Sequence, residues 1–166
     1  MNLSFLPYNT PLRVAAFLDL IARSEGTSTS PWTKNDGFDV IVEGINSPHI
    51  FTDYSRHPGI LVTVRENPLL KSTAAGRYQL LFRYWKDYCK ILGLSDFEPL
   101  SQNLIAMRQI SERGAVDLIE SGEIESAVQR CSNIWASFPG NNYGQNPHQM
   151  ETVLGWYNDC LSAYSK

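Results

Sequence analysis

Apolar side chains recur at helical spacing near the start of the chain and then change to short β-type runs. Residues Leu12–Ser24 carry the helical pattern. Pro11 can begin that helix and Gly26 is expected to end it. Runs of β-branched and aromatic residues follow, and they predict a hairpin with a third strand beside it. These runs occupy 38–42, 50–54 and 60–64, and a turn over 44–48 separates the first two.

From Gly76 onward the pattern is helical to the end of the chain. Tyr78, Leu81, Phe82 and Trp85 follow the i, i+3, i+4, i+7 spacing of one helical face, which predicts a helix that continues to about Leu92. Four more helices are predicted, at about 101–113, 116–120, 124–135 and 148–164.

One helix, a small antiparallel sheet and then a helical region predict an α+β fold. We expect a small sheet lobe and a larger helical lobe with a cleft between them, and a cleft is the usual place for a ligand. The length of 166 residues suits a single domain over 1–166, with residues 1–10 as an N-terminal arm.

Composition narrows the class of protein. Hydrophobic residues make up 43% and charged residues 19%, which is typical of a soluble globular chain. No stretch approaches the roughly 20 apolar residues of a membrane helix, and Met1–Arg13 lacks the pattern of a signal peptide. The net charge of −3 and the scattered basic residues argue against nucleic-acid binding. We therefore expect a soluble monomer without stable membrane insertion.

Cysteine and histidine spacing favours neither metal nor redox chemistry. Three cysteines cannot all pair, none forms a C-x-x-C motif, and each lies in an apolar helical context. The histidines show no ligand spacing and no nucleophile partner, so we expect no metal or organic cofactor. The residues concerned are Cys89, Cys131, Cys160, His49, His57 and His148.

Glu25 occupies a position that local rules disfavour. It follows Leu18, Ile21 and Ala22 by seven, four and three residues, so it projects from the apolar face of the first helix. It also falls in the last turn, where the helix dipole disfavours a carboxylate. Desolvation and the dipole both predict a raised pKa, as a general acid requires. A frayed helix end with Glu25 exposed explains the position equally well.

Several motifs together resemble the phage-lambda-type endolysins, a family of lysozyme-like lytic transglycosylases. They occur in the family's order and span roughly residues 13 to 160. The motifs are Ser24-Glu25-Gly26-Thr27, Gly37-Phe38-Asp39-Val40-Ile41-Val42, Phe51-Thr52-Asp53-Tyr54-Ser55, Lys71-Ser72-Thr73 with Ala75-Gly76-Arg77-Tyr78-Gln79-Leu80, Cys131-Ser132-Asn133-Ile134-Trp135-Ala136-Ser137, and Tyr143-Gly144-Gln145.

The resemblance implies cleavage of the β-1,4 bond between N-acetylmuramic acid and N-acetylglucosamine in peptidoglycan strands. Glu25 is then the acid that protonates the glycosidic oxygen, and afterwards the base that accepts the muramic 6-hydroxyl proton. The product is a 1,6-anhydromuramic end, with no water consumed and no second carboxylate required. The resemblance further implies a glycan-binding role for Gln79, with candidate contacts at Ser72, Thr73, Tyr143 and Gln145.

Three aspartates keep a hydrolytic muramidase open as an alternative, because hydrolysis pairs the acid with a second carboxylate. Asp36 also suits a turn before Gly37, Asp39 alternates outward from Val40, and Asp53 suits the start of a turn. A catalytically silent wall-binding or phage structural module is a second alternative. Glu25→Gln leaves the behaviour of such a module unchanged.

The chain departs from the family pattern in four respects. The arm to Thr10 is longer, residues 45–49 form an insertion at the hairpin tip, and Asp36 stands where the family has histidine. The chain is also acidic, whereas the lambda-type protein is basic, so attraction to an anionic wall should be weaker. We expect accumulation in the host cytoplasm and access to the wall only after a holin permeabilises the membrane.

Overall fold

The computed structural model of the chain describes residues 2–140 and 148–164. The described elements are a short 3₁₀ helix at Leu3–Phe5, then α1 (Leu12–Ser24), β1 (Val62–Arg65), β2 (Leu70–Ser72), α2 (Phe82–Leu92), α3 (Pro99–Glu112), α4 (Val116–Ser121), α5 (Ile124–Cys131) and α6 (Met150–Ala163). The fold class is α+β, as predicted.

The chain divides into two compact units, Met1–Glu25 with Ala106–Lys166, and Gly26–Ile105. In the first unit α1 packs along α6 and against α4. The apolar face of α1 is fully buried, and the Phe17 ring meets the Phe138 ring edge-on with centroids 5.9 Å apart. The predicted bounds of α1 are confirmed.

The second unit contains the sheet, which is smaller than predicted. β1 pairs with β2 in antiparallel register, Val62 opposite Ser72 and Arg65 opposite Leu70. The predicted strands at 38–42 and 50–54 are wrong, because single bridges replace them, from Val40 to Ile50 and from Ile41 to Ala75. The two neighbouring residues bridge to different partners, so no continuous ladder forms.

Two helix boundaries also differ from prediction. α2 begins at Phe82 rather than Tyr78, and Leu81, in an extended backbone conformation, is its N-cap. The N–H of Phe82 donates a hydrogen bond to Thr73 Oγ1 at 3.2 Å. Tyr78 is instead a buried residue whose hydroxyl donates to Asn103 Oδ1 at 2.5 Å. α5 ends at Cys131, four residues before Trp135, the predicted end.

Cys131 and His57 are buried, and burial shifts the pKa of each. All three cysteines are free, and burial raises the pKa of Cys131 to about 12, which keeps that thiol protonated and unreactive. His57 is buried beside the Phe97 ring, and burial lowers its pKa.

Within residues 2–140 and 148–164, no helix has the length and apolar character needed to cross a membrane.

Candidate active site

Glu25 lies at the C-terminal end of α1, where it is the capping residue. Its backbone N–H donates to Ile21 O at 2.9 Å, so the helical hydrogen-bond pattern continues to Glu25. The residue is only partly exposed. The alternative of a frayed helix end with an exposed Glu25 is therefore wrong.

Two serine hydroxyl groups form a chain of hydrogen bonds that ends at the Glu25 carboxyl group. Ser137 Oγ donates a hydrogen bond to Glu25 Oε1 at 2.6 Å, and Ser24 Oγ donates to Ser137 Oγ at 2.8 Å. Ser24 is buried at the end of α1, whereas Ser137 lies 112 residues later in the sequence than Glu25. The tertiary fold of the first unit thus brings a hydroxyl pair to the one carboxyl that sequence reasoning selected.

Opposing influences act on the pKa of Glu25. Burial is the largest and raises the pKa above its ordinary value, because desolvation penalises the charged form. Hydrogen bonds from the side chain and the backbone of Ser137 lower the pKa, and burial prevails. The predicted direction is confirmed, and a carboxyl that retains its proton in this way can act as a general acid.

Each of the three aspartates makes local contacts in the second unit. Asp36 forms an ion pair with buried Arg77, with Nη1 and Oδ1 2.9 Å apart. Asp39 accepts hydrogen bonds from Thr33 Oγ1 at 2.5 Å and Lys34 N at 2.7 Å, which fixes a turn. Asp53 is exposed and accepts from the N–H of Ser55, and bonds from Ser55 lower its pKa.

Three predicted binding residues lie within 72–79 of the second unit. Ser72 Oγ accepts from Ala74 N at 3.1 Å, while Thr73 Oγ1 accepts from Phe82 N at the start of α2. Gln79 is in a turn before α2 with a φ of 50°, and its Nε2 donates to Gly76 O at 3.1 Å. Tyr143 and Gln145 lie outside the described residues.

Sequence reasoning assigned no role to Ser24, Ser137 or His148. Both serines stand in motifs that resemble the family, yet neither has a local feature that sets it apart from other serines. The His148 backbone N–H donates to Ser137 O, and its ring Nε2 lies 3.1 Å from Ser24 O. The contact of His148 with Ser24 joins residues 124 positions apart, so no local pattern reports it.

No group of three or more His, Cys, Asp or Glu side chains within the described part of the chain is arranged to hold a metal ion. Around Glu25 itself, a carboxyl group that accepts a hydroxyl hydrogen bond is suited to proton transfer.

Solved structures define the class to which this fold and site belong. The chain matches bacteriophage lambda lysozyme complexed with a chitohexasaccharide at a TM-score of 0.85 and 49% identity, with 93% of this chain and 97% of that chain covered. A second structure, lysozyme from bacteriophage lambda, matches at a TM-score of 0.81 and 47% identity over the same shares. The fold is thus that of a phage lysozyme.

Sequence relatives give the family. The chain is 53% identical to the endolysin of Escherichia phage P2 over 150 residues, 88% of this chain and 91% of the relative. It is also 53% identical to the endolysin of Escherichia phage lambda over 146 residues, 87% and 89% of the two chains. A match to the Endolysin family extends over residues 15–163, and the chain belongs to that family. It is a lysozyme-type enzyme of cell-wall degradation.

Proposed function

We propose that this endolysin cleaves peptidoglycan strands by lytic transglycosylation, with Glu25 as the catalytic residue. The bond broken is the β-1,4 bond from N-acetylmuramic acid to N-acetylglucosamine. The observation that carries the proposal is the Glu25 carboxyl itself, whose pKa is raised by burial and whose Oε1 is held by Ser137.

The reaction needs Glu25 in both of its protonation states. As an acid, Glu25 gives its proton to the glycosidic oxygen, and the bond from that oxygen to the muramic anomeric carbon breaks. As a carboxylate, it then accepts the proton of the muramic 6-hydroxyl while the 6-oxygen bonds to the anomeric carbon. The proton count balances, no water enters, and the product carries a 1,6-anhydromuramic end.

The contacts of the aspartates favour this mechanism over hydrolysis. A hydrolytic muramidase pairs its acid with a second carboxylate that attacks the sugar or activates water. Asp36 is engaged with Arg77, Asp39 holds the turn at 33–34, and Asp53 binds Ser55. Transglycosylation requires none of these three carboxylates, because Glu25 acts as both acid and base.

We assign the glycan contacts to Gln79, Ser72, Thr73, Tyr143 and Gln145. An amide offers both a donor and an acceptor to acetamido and hydroxyl groups, and a serine or threonine hydroxyl offers the same on one atom. The lambda lysozyme structure with a chitohexasaccharide, at 49% identity, supports binding of a β-1,4-linked amino sugar chain.

We further propose that the enzyme acts as a monomer in host-cell lysis. It accumulates in the host cytoplasm and reaches the wall after a holin opens the membrane. Membership of the Endolysin family supports this order of events. Cell fractionation tests it: the chain expressed alone should stay with the cytoplasm, and release into the periplasm without a holin would contradict the proposal.

Mass spectrometry of digested peptidoglycan is the direct test of the reaction. Soluble disaccharide-peptides should be lighter by one water than hydrolytic products and should resist borohydride reduction. Glu25→Gln should lower the rate of release by at least about a thousandfold, because it removes the proton donor. Glu120→Gln, a change of the same kind at an exposed glutamate on α4, is the matched control and should leave the rate unchanged.

The other outcomes separate the alternatives. Reducing ends would establish hydrolysis, and alanine at Asp36 or Asp39 should then abolish turnover. Absence of any fragments from folded protein would indicate a wall-binding module without catalysis.

A further inference from the structure

We propose that Ser137 is a positioning residue for Glu25, oriented by Ser24 and held in place by His148. The inference rests on the proposed role of Glu25 as the acid, and it adds three residues that act through Glu25 rather than on the glycan. All four residues belong to the first compact unit.

The order of donors in this chain of hydroxyls follows from the carboxylate. When Glu25 is in its ionised, base form, the carboxylate only accepts hydrogen bonds, so the single proton of the Ser137 hydroxyl points to Glu25 Oε1, 2.6 Å away. Ser137 Oγ then has lone pairs for the proton of Ser24, whose Oγ lies 2.8 Å away. The two bonds run in one direction, and each polarises the next.

His148 fastens the two serine segments together. Its backbone N–H donates to Ser137 O at 3.1 Å, and its ring Nε2 lies 3.1 Å from Ser24 O. A carbonyl oxygen only accepts, so Nε2 carries a proton and donates. Ser24 O belongs to the last turn of α1, where carbonyls lack partners within the helix. The Trp156 ring meets the imidazole edge-on at 4.7 Å and fixes its orientation.

This arrangement has a chemical consequence for Glu25. A hydrogen bond donated to the carboxylate stabilises the charged form more than the neutral form. Burial acts in the opposite direction. Ser137 therefore keeps the base form of Glu25 within reach, while burial maintains the acid form. The same bond restricts the carboxyl group to one orientation, which a proton donor needs at the reacting oxygen.

Two charged side chains of α1 contact α6 and the residue that follows it. On α1, Arg23 pairs with Asp159 of α6 at 3.1 Å, and Asp19 accepts a hydrogen bond from Tyr164 at 2.5 Å. His148 is the titratable group bonded directly to the serine pair. Burial and the bonds from Ser137 are the influences on the Glu25 carboxyl, with no charged partner among them in the described part of the chain.

The test follows the titration of Glu25 directly, by the ¹³C resonance of its side-chain carboxyl group. The Glu25 signal is identified by its loss in Glu25→Gln. Ser137→Ala should raise the titration midpoint, because the bonds that favour the charged form are lost. The kcat for peptidoglycan should fall about tenfold with little change in KM, and the alkaline limb of the pH profile should move to higher pH.

Further variants separate positioning from folding. Ser137→Thr retains the hydroxyl and should restore both the midpoint and kcat. Ser137→Cys keeps the volume with a weaker donor and should behave like Ser137→Ala. Ser24→Ala should raise the midpoint by a smaller amount. Ser132→Ala is the matched control, since Ser132 is buried nearby in sequence but donates to Gln129 O, and it should change nothing.

An unmoved midpoint in folded Ser137→Ala and Ser137→Cys would overturn the inference. If Ser137→Ala fails to fold, the Ser137→Cys and Ser24→Ala titrations decide the matter in the same way. Retained activity in Glu25→Gln would instead overturn the proposed function, because the titration reports on the serine contact independently of catalysis.

Discussion

At the scale of the residue, Glu25 illustrates a conflict between stability and function. A carboxyl group at the end of a helix and surrounded by protein is desolvated, and the Ser137 bonds offset only part of that effect. A side chain of the same shape without charge avoids the conflict but has no proton to transfer. Desolvation of Glu25 therefore lowers the stability of the fold and at the same time raises the pKa that the proposed acid needs.

Glu25→Gln should stabilise the protein at neutral pH. Because the folded pKa of Glu25 is raised, the folded chain holds the proton more tightly than the unfolded chain does. The associated stability is present below about pH 4.3, the ordinary glutamate value, and is lost as pH rises through the folded pKa. Thermal unfolding at pH 7.5 should show a Tm higher by about 2–4 °C, the change that roughly 1 kcal/mol makes at this length.

The gain should vanish near pH 4, where wild-type Glu25 is neutral. Glu120→Gln should show no such pH-dependent gain, because that side chain is exposed. A variant less stable than wild type at pH 7.5 would contradict the argument that ionised Glu25 is unfavourable in the fold.

At the scale of the element, the turn at Gly76–Gln79 connects the bridge between Ala75 and Leu80 to α3. Gly76 has a φ of 78° and is buried, and Gln102 of α3 reaches the same turn to accept a hydrogen bond from Arg77 N at 2.9 Å. A Cβ at Gly76 would overlap Gln102 Oε1 and approach Cζ of Phe97 to 2.9 Å. The close approach of α3, as well as the backbone conformation, thus requires glycine.

Gly76→Ala should lower the free energy of unfolding by about 3 kcal/mol, since it combines a left-handed backbone with a clash and the loss of the Gln102 bond. Gly93→Ala is the matched control. Gly93 ends α2 with a φ of 66°, and nothing lies within 4 Å of its Cβ position. Its substitution should lower the free energy of unfolding by about 1 kcal/mol. Urea unfolding measures both, and equal losses would show that contact with α3 contributes nothing.

At the scale of the whole molecule, net charge affects the long-range attraction between the enzyme and the cell wall. Seventeen acidic residues against 14 basic ones give −3, so we expect weak long-range attraction to an anionic wall. We therefore expect binding to depend mainly on short-range contacts with the glycan, which salt affects little.

Adding positive charge should speed the attack on intact walls. Asp117→Lys with Glu120→Lys, both exposed on α4, changes the net charge by four, from −3 to +1. The initial rate on purified walls should rise a few-fold at low ionic strength, and the rise should disappear at about 0.3 M salt, where the Debye length is below 10 Å. A rise that persists at high salt would contradict an electrostatic origin.

The position of Glu25 was predictable from the sequence, because it depends on the pattern of one helix. The apolar face of Leu12–Ser24 and the stop at Gly26 suffice to place Glu25 at a helix end, and burial raises its pKa as expected. The family motifs supplied the catalytic interpretation. The roles predicted for Ser72, Thr73, Gln79, Tyr143 and Gln145 stay predictions.

The sequence by itself determined α1, α4 and α6 almost to the residue, because helical periodicity and terminal glycines act over a few neighbouring positions. It determined the α+β class for the same reason. The tertiary structure alone decided that residues 38–54 bridge to separate partners and that α2 begins at Phe82, where Thr73 Oγ1 accepts the hydrogen bond of the Phe82 N–H.

Contacts between distant residues decided the surroundings of Glu25 as well. The Ser24, Ser137 and His148 contacts join segments more than 100 residues apart. A hydroxyl has the same local signature whether it faces solvent or a carboxylate. Only the packing of α1 and α6 with the segment that carries Ser137 in the first unit determines which serine reaches Glu25.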